Sequence, residues 1–103
     1  EIKNYLKAGE LFLKASKLNP KELAYFENAA NCFMKIGQNK KALEILIEAE
    51  KNLQTNGKTQ YLLSIIYYDI GDKEKSCFYI NKAKQMGFKS TQAIYTLFCY
   101  DEK

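Results

Sequence analysis

The side chains able to do chemistry in this 103-residue chain are thiols, hydroxyls, carboxylates, lysines and tyrosines; histidine is absent. Without His the commonest general base and the commonest metal ligand are missing. No Ser or Cys then has a partner to activate it as a nucleophile. The cysteines Cys32, Cys77 and Cys99 are odd in number, far apart, and form no CxxC pair. Zinc and thioredoxin-like redox readings fail on that spacing. With no His or Arg nearby in sequence to lower a thiol pKa, all three read as small buried apolar residues of a reducing compartment. Glu44, Glu48 and Glu50 share a stretch with Lys40, Lys41 and Lys51, which a solvated, ion-paired helix face explains better than acid–base catalysis. Gly37 and Gly71 stand singly, so no glycine-rich phosphate loop is present. These residues argue against an enzyme and imply neither cofactor nor metal.

The charge balance points away from nucleic acid. The net charge is +4, from 16 basic against 12 acidic residues, and every basic residue is Lys. Arg is the usual bidentate reader of phosphate and base edges, and a dispersed Lys excess suits solubility better than an RNA footprint. No apolar run approaches the roughly 18–20 residues of a membrane helix. Residue 1 is Glu rather than Met, so the sequence is expected to be a piece of a longer protein from which a targeting segment could have been lost. The lack of disulfide spacing makes the cytoplasm the expected location.

The elements that would position these side chains are helices. Leu6, Ala8, Leu11, Phe12, Ala15 and Leu18 recur at helical steps over 2–18. Asn19-Pro20-Lys21-Glu22 then stops one helix and starts the next, with Asn19 as cap, Pro20 at the first position and Glu22 completing a capping box. A second helix is expected to about Ile36, closed by Gly37, and a third over about 39–53, broken by Thr55-Asn56-Gly57. A fourth covers about 58–70 and ends at Gly71; Asp72 opens a fifth over about 73–86, ended by Gly87; Ser90 caps a sixth running to about Tyr100. Loops of two to about five residues make consecutive helices antiparallel. No linker divides the chain, so one domain over 1–103 is expected.

A shift of 34 residues carries Phe33 onto Tyr67, Ile36 onto Ile70 and Gly37 onto Gly71. It also carries Ala42 onto Ser76, Leu46 onto Ile80 and Ala49 onto Ala83. A period of that size means stacked helical hairpins. Small residues let two helices approach to about 8 Å, and Ala30, Ala42 and Ala49, with Ser64, Ser76 and Ala83, are placed for such crossings. The pattern resembles the tetratricopeptide repeat, in which small residues and a turn glycine recur at fixed places in a helix-turn-helix unit. Ala30, Gly37, Ala42 and Ala49 match one unit, and Ser64, Gly71, Ser76 and Ala83 match the next. Ala8, Phe12, Ala15 and Pro20 fit the second half of an earlier unit, and Ile94, Leu97 and Phe98 fit the first helix of a later one. Three departures stand out: Phe88 where Pro is usual, Gln60 where a large aromatic is common, and Phe98 at a normally small position. The first helix lacks its usual hairpin partner, which leaves Leu11 and Leu13 exposed or covered by another chain.

The resemblance implies an all-α fold of about six helices, paired as antiparallel hairpins and stacked in a right-handed superhelix. It also implies a concave groove lined by the first helix of each repeat. In this sequence those positions are Ala24, Glu27, Asn31, Met34 and Lys35, then Lys58, Tyr61, Ile65, Tyr68 and Asp69, then Gln92, Tyr95 and Cys99. Tyr61, Tyr68 and Tyr95 suit recognition, having a large ring, a polar tip and few rotamers. Of the family's carboxylate clamp for chaperone tails, Asn28 and Lys58 match two of five positions, while Leu62 stands where a basic residue is required, so the clamp is broken. The expected role is a non-enzymatic interaction module, adaptor, scaffold or co-chaperone-like, holding a peptide or partner helix. The rivals are self-assembly through the terminal half-repeats and, behind it, RNA binding. No membrane partner is expected.

Overall fold

The computed structural model describes residues 1–89 and 91–100. Among them all regular structure is helical: α1 (Ile2–Leu18), α2 (Leu23–Lys35), α3 (Asn39–Asn52), α4 (Lys58–Asp69), α5 (Lys73–Gln85) and α6 (Gln92–Cys99). The helices fall into two compact units, Glu1–Gln54 and a second beginning at Thr55. The expected Ser90 cap lies outside the described residues.

In the first unit α2 packs against both α1 and α3. Its core is Ala29, Ala30 and Phe33 with Ala42, Leu46 and Ala49, none more than 1% exposed. Ala30 and Ala42 are thus interior, as a close α2–α3 crossing demands. The α1–α2 approach depends on a residue the periodicity did not flag. A Cβ at Gly9 would lie 3.0 Å from the Phe33 ring and 3.3 Å from Cys32 Cβ. The side of α1 buried here carries Gly9 and Ser16, while Ala8 and Ala15 are half-buried. Ser16 silences its hydroxyl by donating to the Leu13 carbonyl at 2.6 Å. The opposite side of α1 leaves Leu11 59% and Leu18 82% exposed, whereas Leu13 is half-buried.

In the second unit α5 packs against α4 and α6. Leu63, Ile66, Ile80 and Ala83 form the apolar core, with Thr59, Ser64 and Ser76 equally buried. A serine can stand at a tight crossing because it bonds locally: Ser64 Oγ donates to the Tyr61 carbonyl at 2.6 Å, and Ser76 Oγ to that of Lys73 at 2.7 Å. Gln60 is buried too, and its Nε2 donates to Thr55 Oγ1 at 2.8 Å. A polar side chain thereby occupies the place where an aromatic is usual in the repeat.

Three helices end in one turn geometry. The amide of Gln38 donates to the Phe33 carbonyl and that of Gly37 to Met34. Asp72 and Gly71 repeat this toward Tyr67 and Tyr68, and Phe88 and Gly87 toward Ala83 and Lys84. Each is the paired bond of a Schellman cap, with glycine at the left-handed position (φ 78°, 92° and 87°). The third turn also explains Phe88: proline there would have no N–H to close the cap. Asp72 caps α5 as expected, accepting from the Lys75 amide at 3.1 Å.

Two expectations need correction. Asn19 does not cap α2: it ends α1, its amide bonding to the Ala15 carbonyl, and α2 starts after Glu22, whose side chain makes no cap bond. The Glu22 amide instead donates to the Asn19 carbonyl at 3.2 Å, so Asn19–Glu22 is a turn in its own right. Nor are all three cysteines free. Cys77 and Cys99 form a disulfide, Cα atoms 4.8 Å apart, joining α5 to α6, and only Cys32 remains a thiol. Their 22-residue separation matches no spacing motif, because the pairing is made by the α5–α6 packing. The cytoplasmic expectation leaned on the lack of disulfide pairing, and this bond removes that support. No helix among the described residues is long and apolar enough to cross a membrane.

Candidate functional site

The residues expected to meet a partner are carried on α2 in the first unit and on α4 and α6 in the second. On α2, Asn31 and Lys35 are exposed, and Asn28 and Met34 are half-buried. Glu27 is 7% exposed: it belongs more to the interior of the unit than to its surface. Ala24 is exposed but offers little to hold.

On α4 the pattern is an aromatic edge flanked by charge. Lys58 and Asp69, at the two ends, are exposed, and Tyr61, Ile65 and Tyr68 between them are half-buried. A step of three or four residues keeps them on one side of the helix. Each tyrosine is braced by a second ring. Tyr61 packs on Phe88, centroids 4.9 Å apart and tilted by 35°; Tyr68 stacks on Phe98 at 4.3 Å. On α6, Tyr95 meets Tyr100 edge-on at 6.3 Å, and Lys84 Nζ lies 4.7 Å from its ring centre. Phe98, too large for its usual position in the repeat, fills its space as the partner of Tyr68.

A concavity lies at the start of α4. Asn56, Lys58, Tyr61, Gly87, Phe88 and Lys89 line an open hollow of about 490 Å³. Gly57, which precedes the helix, has φ 105°, and a Cβ there would come within 2.9 Å of Phe88 Cβ, so the loop and Phe88 are pressed together. The resulting floor is aromatic and the rim carries two ammonium groups. Such a surface can hold an apolar side chain with a carboxylate beside it. Phe88 and Lys89 were not among the expected site residues; only the α5–α6 connection brings them to Tyr61.

Leu62, 6% exposed, is interior, so a basic side chain at that carboxylate-clamp position would have to be buried. Burial raises the pKa of Cys32, the remaining thiol, above its ordinary value, which favours its neutral form. Cys99, expected among the groove residues, is instead half of the disulfide.

A crystal structure of a tetratricopeptide repeat protein from Parabacteroides merdae superposes on this chain with a TM-score of 0.82 over 94% of its length. The fold is that of tetratricopeptide repeats. The two sequences are 18% identical, and the chain spans 39% of the length of that protein. No protein-family model and no curated protein matches the sequence. Within the tetratricopeptide frame α2–α3 and α4–α5 are the two helix-turn-helix units, α1 corresponds to the second helix of a preceding one, and α6 to the first helix of a following one.

Proposed function

We propose that the chain is a non-enzymatic protein-interaction module that holds a peptide or partner helix on the first-helix faces of its repeats. The observation that carries this reading is the α4 edge, where Tyr61, Ile65 and Tyr68 are half-buried, the two tyrosines braced by Phe88 and Phe98, with Lys58 and Asp69 exposed at either end. Rings already held by Phe88 and Phe98 lose little freedom when a guest arrives, so their contact area converts to affinity at low entropic cost. The two lysines at the Tyr61 hollow favour a guest with an acidic residue next to an apolar one. On α2, the exposed Asn31 and Lys35 and the half-buried Asn28 and Met34 offer polar register, while Glu27 is interior.

The test is a selection of peptides from a displayed library on the whole chain, followed by titration against Tyr61→Ala and Lys58→Glu. Both variants are expected to weaken the selected acidic–apolar peptide at least tenfold, as loss of a central aromatic anchor does. Binding that both folded variants retain unchanged rejects the reading.

A second reading, self-association, is motivated by Leu11 and Leu18, 59% and 82% exposed and seven residues apart on one side of α1. It requires a molar mass that rises with concentration in light scattering, and Leu11→Lys should abolish the rise.

A further inference from the structure

We propose that the Cys77–Cys99 disulfide is a redox latch that holds α6 in place, opened by a dithiol reductant of the thioredoxin class. The bond joins α5 to α6 near the C-terminal end of α6. Both cysteines are half-buried and line an open hollow of about 350 Å³ with Lys73, Glu74 and Phe98. The hollow gives an attacking thiolate an approach to the bond, and access is one of the features that separate exchangeable disulfides from inert structural ones. Asn81 Nδ2 lies 3.7 Å from Cys77 Sγ and 3.9 Å from Cys99 Sγ, a donor placed to stabilise whichever sulfur leaves as thiolate.

What the latch holds is weakly held otherwise. α6 has 8 residues, too few to sustain a helix alone. Phe98 is its buried side chain, and Phe98 is adjacent to Cys99, so the covalent link and the main apolar anchor act at the same point. Through Phe98 the helix also covers one face of the Tyr68 ring.

The exchange balances as a two-electron transfer. A thiolate of the reductant attacks one sulfur, the Cys77–Cys99 bond breaks, and a mixed disulfide forms as the other sulfur leaves as thiolate. The reductant's second thiol then attacks the mixed disulfide. The reductant departs oxidised, and Cys77 and Cys99 take up the two protons its thiols gave up. α6 then detaches and uncovers Tyr68. This inference concerns the state of α6 alone and stands or falls without any partner being bound.

The experiment uses the whole chain, purified without reductant. Alkylation with iodoacetamide in denaturant, read by intact mass, should add one group before and three after treatment with reduced thioredoxin, because Cys32 is the free thiol and the chain holds three cysteines. Hydrogen exchange is then read in both states. Amides of 92–99 should exchange roughly tenfold faster or more after reduction, while those of α4 and α5 in the same unit stay unchanged, as in local rather than global opening. Cys99→Ser should show the fast α6 exchange at once and ignore the reductant. Three adducts without reduction overturn the latch, as does unchanged α6 protection after it. Loss of α4 and α5 protection along with α6 overturns it too, by making the bond a general staple of its unit.

Discussion

Single residues explain how a crossing built for alanine tolerates serine. Ser76 is completely buried, and its hydroxyl bonds within its own helix to the Lys73 carbonyl. The hydroxyl therefore needs nothing from α4, and Ser76→Ala is expected to change stability by less than about 1 kcal/mol. Ser76→Leu must find room where there is none and should cost about 1–3 kcal/mol. Urea denaturation of both variants checks the pair, and equal losses would mean that volume does not set this contact. Cys32 shows the same economy of chemistry. It is 8% exposed, with its pKa raised by burial. An exposed thiol ionises near pH ~8.5 and reacts there, whereas Cys32 should stay protonated and resist alkylation in the native chain at that pH. Rapid native labelling of Cys32 would contradict its place behind Gly9.

At the scale of elements, the helix ends carry the fold's punctuation. Gly71 sits at φ 92° with open space where a Cβ would go, so its need is conformational rather than steric. Gly71→Ala should cost about 1–2 kcal/mol, and Asp72→Ala about 1 kcal/mol through loss of the Lys75 cap bond. Thermal unfolding of the two single variants and the double variant measures both. These punctuation marks were legible in the sequence because a left-handed turn selects glycine and a helix start selects Asp. Apolar spacing likewise placed six helices within a residue or two. What stayed illegible came from packing between elements. Asn19-Pro20 signalled a boundary, but which helix Asn19 would serve depended on how the chain leaves α1. Gly9 carries no signal in the apolar spacing, and its role follows only from the Phe33 ring packed against it. Cys77 and Cys99 carried no spacing signal, since their bond exists only through the α5–α6 approach. Among the binding candidates, side-chain type and register brought Tyr61 and Tyr68 into view, but the rings that brace them, Phe88 and Phe98, follow from the turn after α5 and the docking of α6.

For the molecule as a whole, charge sets which partners it meets first. Sixteen lysines against twelve acids leave +4 without a single arginine. Exposed lysines stand on five different helices, α1 through α5, rather than on one. Polyanion binding requires several cations to contact neighbouring phosphates at once, and its salt slope counts the counterions so released. A scattered set engages few phosphates, so binding to single-stranded homopolymer RNA should be undetectable at ~0.15 M salt, where the Debye length is about 8 Å. At ~0.01 M salt, with a Debye length near 30 Å, the whole +4 field acts together and weak association should appear. An acidic peptide at the Tyr61 hollow, as proposed, is expected to behave differently. Its ring contacts are not screened, so lower salt speeds its association while its dissociation rate changes little. Measuring both ligands across the same salt series separates the two modes. RNA affinity that persists at 0.15 M with a slope of several ions would show the lysines acting as one surface and would displace the protein-binding reading.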